Sequence, residues 1–228
     1  MKKVLLAFMF CLAITPLVVG QTIVYDTIRY AKEHYQKRIT LFNIEKVVKG
    51  KIIFLGNSIT EFGDWQKLLN DSTVINRGIA GDNTFGVLAR LDDVIKREPV
   101  KLFIKIGIND ISQNIPVEII VNNISTIIKS VKTKSPATKI YIHSILPTND
   151  QVKNEYPDAY NKNGIVKEVN LQLKQLAKKY KIIYIDINKI FSDQEGKLDN
   201  KYADTDGLHL NDFAYKTWIE FLKRHRYL

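Results

Sequence analysis

Four short segments carry the residue types that acyl transfer requires. They are Gly56-Asn57-Ser58-Ile59-Thr60, Asn76-Arg77-Gly78-Ile79-Ala80-Gly81-Asp82-Asn83, Gly107-Ile108-Asn109-Asp110 and Asp206-Gly207-Leu208-His209. Acyl transfer needs a nucleophile, a base to take its proton, a group that orients the base, and donors for the developing oxyanion. Ser58 supplies the hydroxyl, His209 the base, and Asp206, three residues earlier, a carboxylate to hold one imidazole tautomer. Gly81 offers a backbone N–H unobstructed by a side chain, and Asn109 a side-chain amide. The Ser58 N–H, at a helix start, would be a third donor. Each segment alone has an ordinary reading: a Gly-x-Ser turn caps a helix, Asn-Asp makes a turn, and a single His sits in a polar loop. It is their combination on one edge of a sheet that points to chemistry.

The elements around these segments put them on that edge. Apolar runs at Lys51–Leu55, Thr73–Asn76, Leu102–Ile106, Lys139–His143 and Ile182–Ile187 read as buried strands. Helical patterns separate them at Phe62–Leu69, Thr84–Ile95, Val117–Val131 and Val166–Tyr180, and a last helix spans Asp212–Arg224 with Ala214, Trp218 and Leu222 on one face. An earlier stripe of Ile28, Ala31, Tyr35, Ile39 and Phe42 predicts an amphipathic helix leading into the domain. Strands alternating with crossover helices predict an α/β fold: a three-layer α/β/α sandwich on a five-stranded parallel flavodoxin-like sheet, order 2-1-3-4-5. In such sheets ligands bind beyond the carboxyl ends of the strands, and all four segments follow a strand or precede the final helix.

The four segments resemble the sequence blocks of the SGNH (GDSL-like) hydrolase superfamily, named for Ser, Gly, Asn and His. Ser58, Gly81, Asn109 and His209 match those four, and Asp206 matches the acid of the family's Asp-x-x-His. The resemblance runs from about Lys51 to Tyr215. It implies a serine esterase working through an acyl-enzyme, with Ser58, Asp206 and His209 catalytic and Ser58, Gly81 and Asn109 forming the oxyanion hole, and no cofactor. The first block departs from Gly-Asp-Ser-Leu at Asn57 and Ile59, neither of which handles a proton in this scheme. No Gly stands two residues after Ser58, which argues against the Gly-x-Ser-x-Gly elbow of α/β-hydrolases.

Three further histidines compete as bases. His34 on the leading helix and His225 near the C-terminus are expected to be solvated. His143 ends the fourth strand on the active edge but lacks a nearby acid; it is expected to line the pocket. The segment Pro147–Gly164 is polar, with Tyr156 and Tyr160 among Asn, Asp and Lys residues. A long acyl chain needs apolar lining, whereas two tyrosines suit stacking on a sugar. The expected substrate is therefore a small-molecule or glycan ester, most simply a carbohydrate acetate. A lysophospholipid or short-chain lipid is the alternative, for which Phe62 or Trp65, assigned to the core, would have to line the pocket. From a different class, a non-catalytic flavodoxin-like module could hold a phosphate on the first loop, but Asp206, His209 and Asn109 would then be unexplained.

The bulk properties limit the options. The chain has 228 residues, 45% hydrophobic and 25% charged, with no linker-like stretch or internal repeat; this suits one core. Residues 1–20 read as a secretory signal: Lys2 and Lys3, an apolar run from Val4 to Ile14, then Val18-Val19-Gly20. The run is short for a bilayer span, so periplasmic or extracellular placement without a stable membrane anchor is expected. Residues 21–50 form the helical lead-in and 51–228 the hydrolase-like domain. Loss of residues 1–20 would lower the formal charge from +10 to +8 and remove Cys11, the one cysteine. Disulfides, thiolate metal sites and a cysteine nucleophile are thereby excluded. No cluster of His and carboxylates has metal-ligand spacing, and the lysines spread along helices without an Arg-rich block of the kind that tracks nucleic acid.

Overall fold

The computed structural model describes residues 31–151 and 156–228. Five strands, β1 (Ile52–Gly56), β2 (Ile75–Gly78), β3 (Lys101–Lys105), β4 (Lys139–His143) and β5 (Ile183–Ile185), form one parallel sheet in the order β2-β1-β3-β4-β5. This is the expected three-layer order. Alternate β1 residues serve opposite layers. Ile53 and Leu55 pack with Val87, Leu91, Ile120, Ile124, Ile127, Val169 and Leu173. Phe54 packs on the other side with Trp65, Phe103, Phe191 and Trp218.

The first of these layers is built by α4 (Thr84–Ala89), α5 (Leu91–Ile95), α7 (Val117–Lys134) and α8 (Asn163–Tyr180). The second uses α3 (Trp65–Leu69), α9 (Asn188–Phe191) and α10 (Asp212–Arg224). In α10 the buried stripe includes Ala214, Trp218 and Leu222, and the Asn211 side chain caps its start by accepting from Ala214 N–H. Two short helices, α2 (Ser58–Glu61) and α6 (Ile108–Ser112), sit directly on the carboxyl ends of β1 and β3. Glycine permits this closeness: a Cβ on Gly56 would lie 2.2 Å from the Lys105 carbonyl oxygen, and one on Gly78 would lie 2.1 Å from the Glu61 nitrogen.

Several boundaries differ from the pattern-based reading. The helix expected over Phe62–Leu69 begins only at Trp65, because Gly63 interrupts it and Asp64 caps the new start by accepting from Lys67 N–H. Phe62 thereby leaves the core and is 55% exposed. The helix expected over Thr84–Ile95 breaks at Arg90, whose buried side chain turns back towards β1. The second strand lies two residues later than its apolar run, and the fifth is shorter. The leading helix α1 (Lys32–Ile44) buries Phe42, with Ala31 buried just before it. Its other anchors are polar: Tyr35 donates to the Gly86 carbonyl at 2.9 Å and Arg38 to the Gly78 carbonyl at 3.2 Å. Residues 1–30, including the expected signal and Ile28, and residues 152–155 of the polar loop lie outside the described residues. No helix among the described residues is long and apolar enough to cross a membrane.

Candidate active site

Asn57 starts the site. Its side chain accepts from Ile59 N–H and opens α2, so Ser58 is the first residue of a helix at the end of β1. Tyr215 of α10 donates to the Ile59 carbonyl at 2.8 Å, tying α2 to the segment that carries His209. Across the gap, His209 Nε2 lies 2.8 Å from Ser58 Oγ, and His209 Nδ1 lies 2.5 Å from Asp206 Oδ2. A carboxylate can only accept, so Nδ1 carries the proton and Nε2 presents its lone pair to the serine hydroxyl. The second Asp206 oxygen accepts from the N–H groups of Leu208 and His209 at 2.9 and 2.8 Å. Burial alone would raise the Asp206 carboxyl; the His209 ring and these two amides outweigh it and bring it down to about 2. Asp206 is therefore ionised at neutral pH and holds the imidazole in one tautomer.

The donors come from the next two strands. Gly81, at φ +78°, follows β2, and no backbone carbonyl among the described residues takes up its N–H. Asn109 opens α6 after β3, and its side-chain amide donates to the Asp82 carbonyl at 2.7 Å. One N–H of that amide thus fixes the side chain and the other remains available. The Gly81 loop is held from behind by a buried ion pair, Arg90 to Asp82 at 2.8 Å. Arg90 also donates to the carbonyls of Arg77 and Gly56, both at 3.0 Å. Burial pushes the Asp82 and Asp110 carboxyls up to about 6; Arg90 opposes this at Asp82, as do bonds from Thr84 at Asp110.

Ser58, Gly81, Asn109 and His209 line one cavity of about 190 Å³, flanked by Phe62, Tyr156 and His34. The Phe62 and Tyr156 rings lie 5.1 and 5.5 Å from the His209 ring. The arrangement can move a proton from Ser58 to His209 while two or three N–H groups face the same small space. A larger cavity of about 560 Å³ lies along β2, lined by Arg38, Glu45, Arg77 and Arg97 among others; no histidine among the described residues stands beside its Ser72 and Thr73 hydroxyls. Among the described residues no group of three or more His, Cys, Asp or Glu could hold a metal ion.

Other expected site residues lie elsewhere. His143 does not line the cavity: it is buried in the aromatic layer, stacked on Phe103, with Trp218 Nε1 donating to its Nε2 at 3.4 Å. Burial, reinforced by the nearby Lys105 ammonium, pushes its pKa down to about 3. Tyr160 is also buried, and its hydroxyl donates to the Asp206 carbonyl at 2.5 Å; it braces the Asp206 turn and offers no stacking face. Tyr156 does line the cavity. His34, expected to be solvated, flanks it and bonds to Glu61. His225 is exposed and contacts the Phe221 carbonyl. The sequence placed Phe62 in the core, with a pocket role only under the lipid alternative, and His34 in solvent. For Phe62 a signal existed, since it lies four residues after Ser58 and just before a glycine; for His34 there was none.

Residues 54–217 match the model of the GDSL-like Lipase/Acylhydrolase family. Among solved structures, a Streptococcus pneumonia protein named for platelet activating factor is 31% identical, with a TM-score of 0.76, covering 86% of this chain and 94% of its own. A GDSL-like lipase from Bacteroides thetaiotaomicron VPI-5482 is similar in fold at 22% identity and TM-score 0.72, covering 85% and 98%. So is the acetyl xylan esterase AlAXEase, at 19% and 0.62, covering 77% and 98%. No curated protein matches the sequence.

Proposed function

Because the chain belongs to the GDSL-like lipase/acylhydrolase family, whose members hydrolyse esters, we propose that it is a serine esterase that removes short acyl groups, acetate foremost, from a carbohydrate. The observation that carries the serine mechanism is the unbroken chain Ser58 Oγ, His209 Nε2, His209 Nδ1, Asp206 Oδ2, with links of 2.8 and 2.5 Å. In the first step Ser58 Oγ bonds to the acyl carbon while His209 Nε2 takes its proton. The carbonyl oxygen becomes an oxyanion facing the N–H groups of Ser58 and Gly81 and the Asn109 amide. Collapse breaks the ester C–O bond, and His209 returns the proton to the leaving alcohol. Water then attacks the acyl-enzyme with His209 as base, releasing the carboxylic acid and regenerating Ser58.

The substrate class is argued from size and lining. A cavity of about 190 Å³ is below the ~300–1,000 Å³ of clefts that enclose drug-sized ligands. It suits an acetyl group with the edge of an alcohol, and the Phe62 and Tyr156 rings beside His209 give a sugar two faces to meet. Secretion, proposed from the basic and apolar N-terminus, fits an extracytoplasmic glycan. One observation favours a short-chain lipid ester instead: Phe62 is more than half exposed at the mouth, next to Leu208 and Ala31.

Two measurements test this. A fluorophosphonate probe should label Ser58 in the folded protein; an unlabelled Ser58 would leave a non-catalytic binding module. Across p-nitrophenyl acetate, butyrate and octanoate, kcat/KM should fall. A lipid enzyme would instead gain roughly 0.8 kcal/mol per buried CH₂, and a rising series would replace the glycan ester with a lipid one.

A further inference from the structure

Helix α1 lies outside the family-matched residues 54–217, yet it reaches the candidate active site through one carboxylate. Glu61, the last residue of α2, accepts the Ala80 N–H on Oε2 at 2.5 Å. Its two oxygens both lie 2.9 Å from His34 Nε2, and Oε1 lies 3.3 Å from Arg38 Nε. The Glu61 backbone is itself immobilised. The Asn76 amide donates to the carbonyls of Thr60, Glu61 and Gly63 at 3.0 to 3.1 Å, and the Gly78 backbone rests against the Glu61 backbone. With its base fixed and its head clasped from α1, the carboxylate has one place to be.

That place matters because Ala80 precedes Gly81. The Gly81 N–H belongs to the peptide plane that starts at Ala80, so its direction depends on how Ala80 is held. Ile79 N–H is bound to the Gly56 carbonyl and Asp82 N–H to the Ile79 carbonyl, at 3.1 Å each. The bond to Glu61 pins Ala80, the first of the two residues between them. We propose that Glu61 is a positioning residue for the oxyanion loop, held in place by His34 and Arg38, so that α1 is a working part of the catalytic site. The inference rests on the serine-esterase reading. An oxyanion donor acts on the transition state more than on bound substrate, so disorder of the Gly81 N–H lowers kcat and leaves KM nearly unchanged.

Three variants separate placement of an acceptor from neutralisation of charge. Glu61→Gln keeps the length of the side chain and an oxygen for Ala80 N–H but removes the charge. Glu61→Asp keeps the charge and withdraws the acceptor by one methylene. Glu61→Ala removes both. With p-nitrophenyl acetate, Glu61→Asp and Glu61→Ala are expected to lose about tenfold or more in kcat with KM within about twofold, given that a lost oxyanion donor costs ~10²–10³. Glu61→Gln is expected to stay within about threefold of the wild type. If Glu61→Ala fails to fold, the Asp and Gln variants decide alone. Kinetics in which Asp equals or exceeds Gln would overturn the proposal, since Glu61 would then serve only to balance His34 and Arg38. So would a loss confined to KM, or no loss in any variant. Failure of the esterase reading itself would show in the wild type, as absent turnover and an unlabelled Ser58, and would remove this inference with it.

Discussion

Asp82→Ala should destabilise the protein and impair turnover together, because Asp82 is half of the ion pair behind the oxyanion loop. Its carboxylate is fully buried and Arg90 nearly so, with Arg90 Nε and an NH₂ group both 2.8 Å from the same oxygen. The other Asp82 oxygen accepts from Asn83 N–H at 3.0 Å. Removing the carboxylate strands the guanidinium, which keeps only the carbonyls of Arg77 and Gly56 as partners. Breaking a buried pair in this way costs about 3–5 kcal/mol. For a domain of this size each kcal/mol is ~2–4 °C in Tm, so a fall of roughly 6–20 °C is expected by differential scanning fluorimetry or calorimetry. Replacing both partners with apolar residues, Asp82→Leu with Arg90→Met, should destabilise far less than the two single changes added together, since the charge that must be desolvated disappears with its partner. That burial pushes the Asp82 carboxyl up to about 6 despite Arg90 points the same way: the pair is held at the expense of solvation. A Tm for Asp82→Ala within about 2 °C of wild type, or strictly additive losses in the cycle, would refute the argument.

Other outcomes follow from the site geometry. Ser58→Ala should abolish esterase turnover while changing stability by no more than ~1 kcal/mol, about one cap's worth; retention of a tenth of wild-type kcat would exclude Ser58 as nucleophile. His143→Ala should leave kcat and KM within about twofold and instead lower stability by ~2–4 kcal/mol, because it empties a space between Phe103 and Trp218; a changed KM with an unchanged Tm would return His143 to the pocket. Asp206 is depressed from 3.8 to about 2, so its contribution to stability is complete above pH 3.8 and is lost as pH falls through about 2. Urea titrations from pH 5 to pH 2 should therefore show a steeper loss in the wild type than in Asp206→Asn, and parallel curves would contradict the assignment.

Much of this protein is legible without coordinates, and the reason is local. Strand order could be inferred because apolar runs alternate with helical stripes such as Ile120, Ile124, Ile127 and Val131, all buried in α7, and parallel crossovers leave few topologies. Ser58, Gly81, Asn109 and Asp206-x-x-His209 could be singled out because each depends on backbone features near it in sequence: a strand end, a tight turn, a helix start. Such features leave marks in residue type and spacing. The order of the strands then brings them to one edge, where the structure sets Ser58, Gly81, Asn109 and His209 around one cavity with Asp206 bound to His209.

What the tertiary structure alone decided concerns which way side chains face. His143 looked like a pocket residue because it ends strand β4 on the active edge, and Tyr160 because it stands in the polar segment beyond; yet one is enclosed by Phe103 and Trp218 and the other is turned onto the Asp206 carbonyl. Phe62 looked like core, yet the break at Gly63 leaves it beside His209. His34 had the pattern of a solvated helix residue until α1 crossed the end of β2 and placed it on Glu61, 27 positions away. A side chain's face is set by the packing of elements distant in sequence, through contacts whose energies are small and numerous, and no local pattern records it. The Arg90 break has the same origin: its helix yields because a guanidinium buried against Asp82 and Gly56 outweighs one more turn of regular backbone.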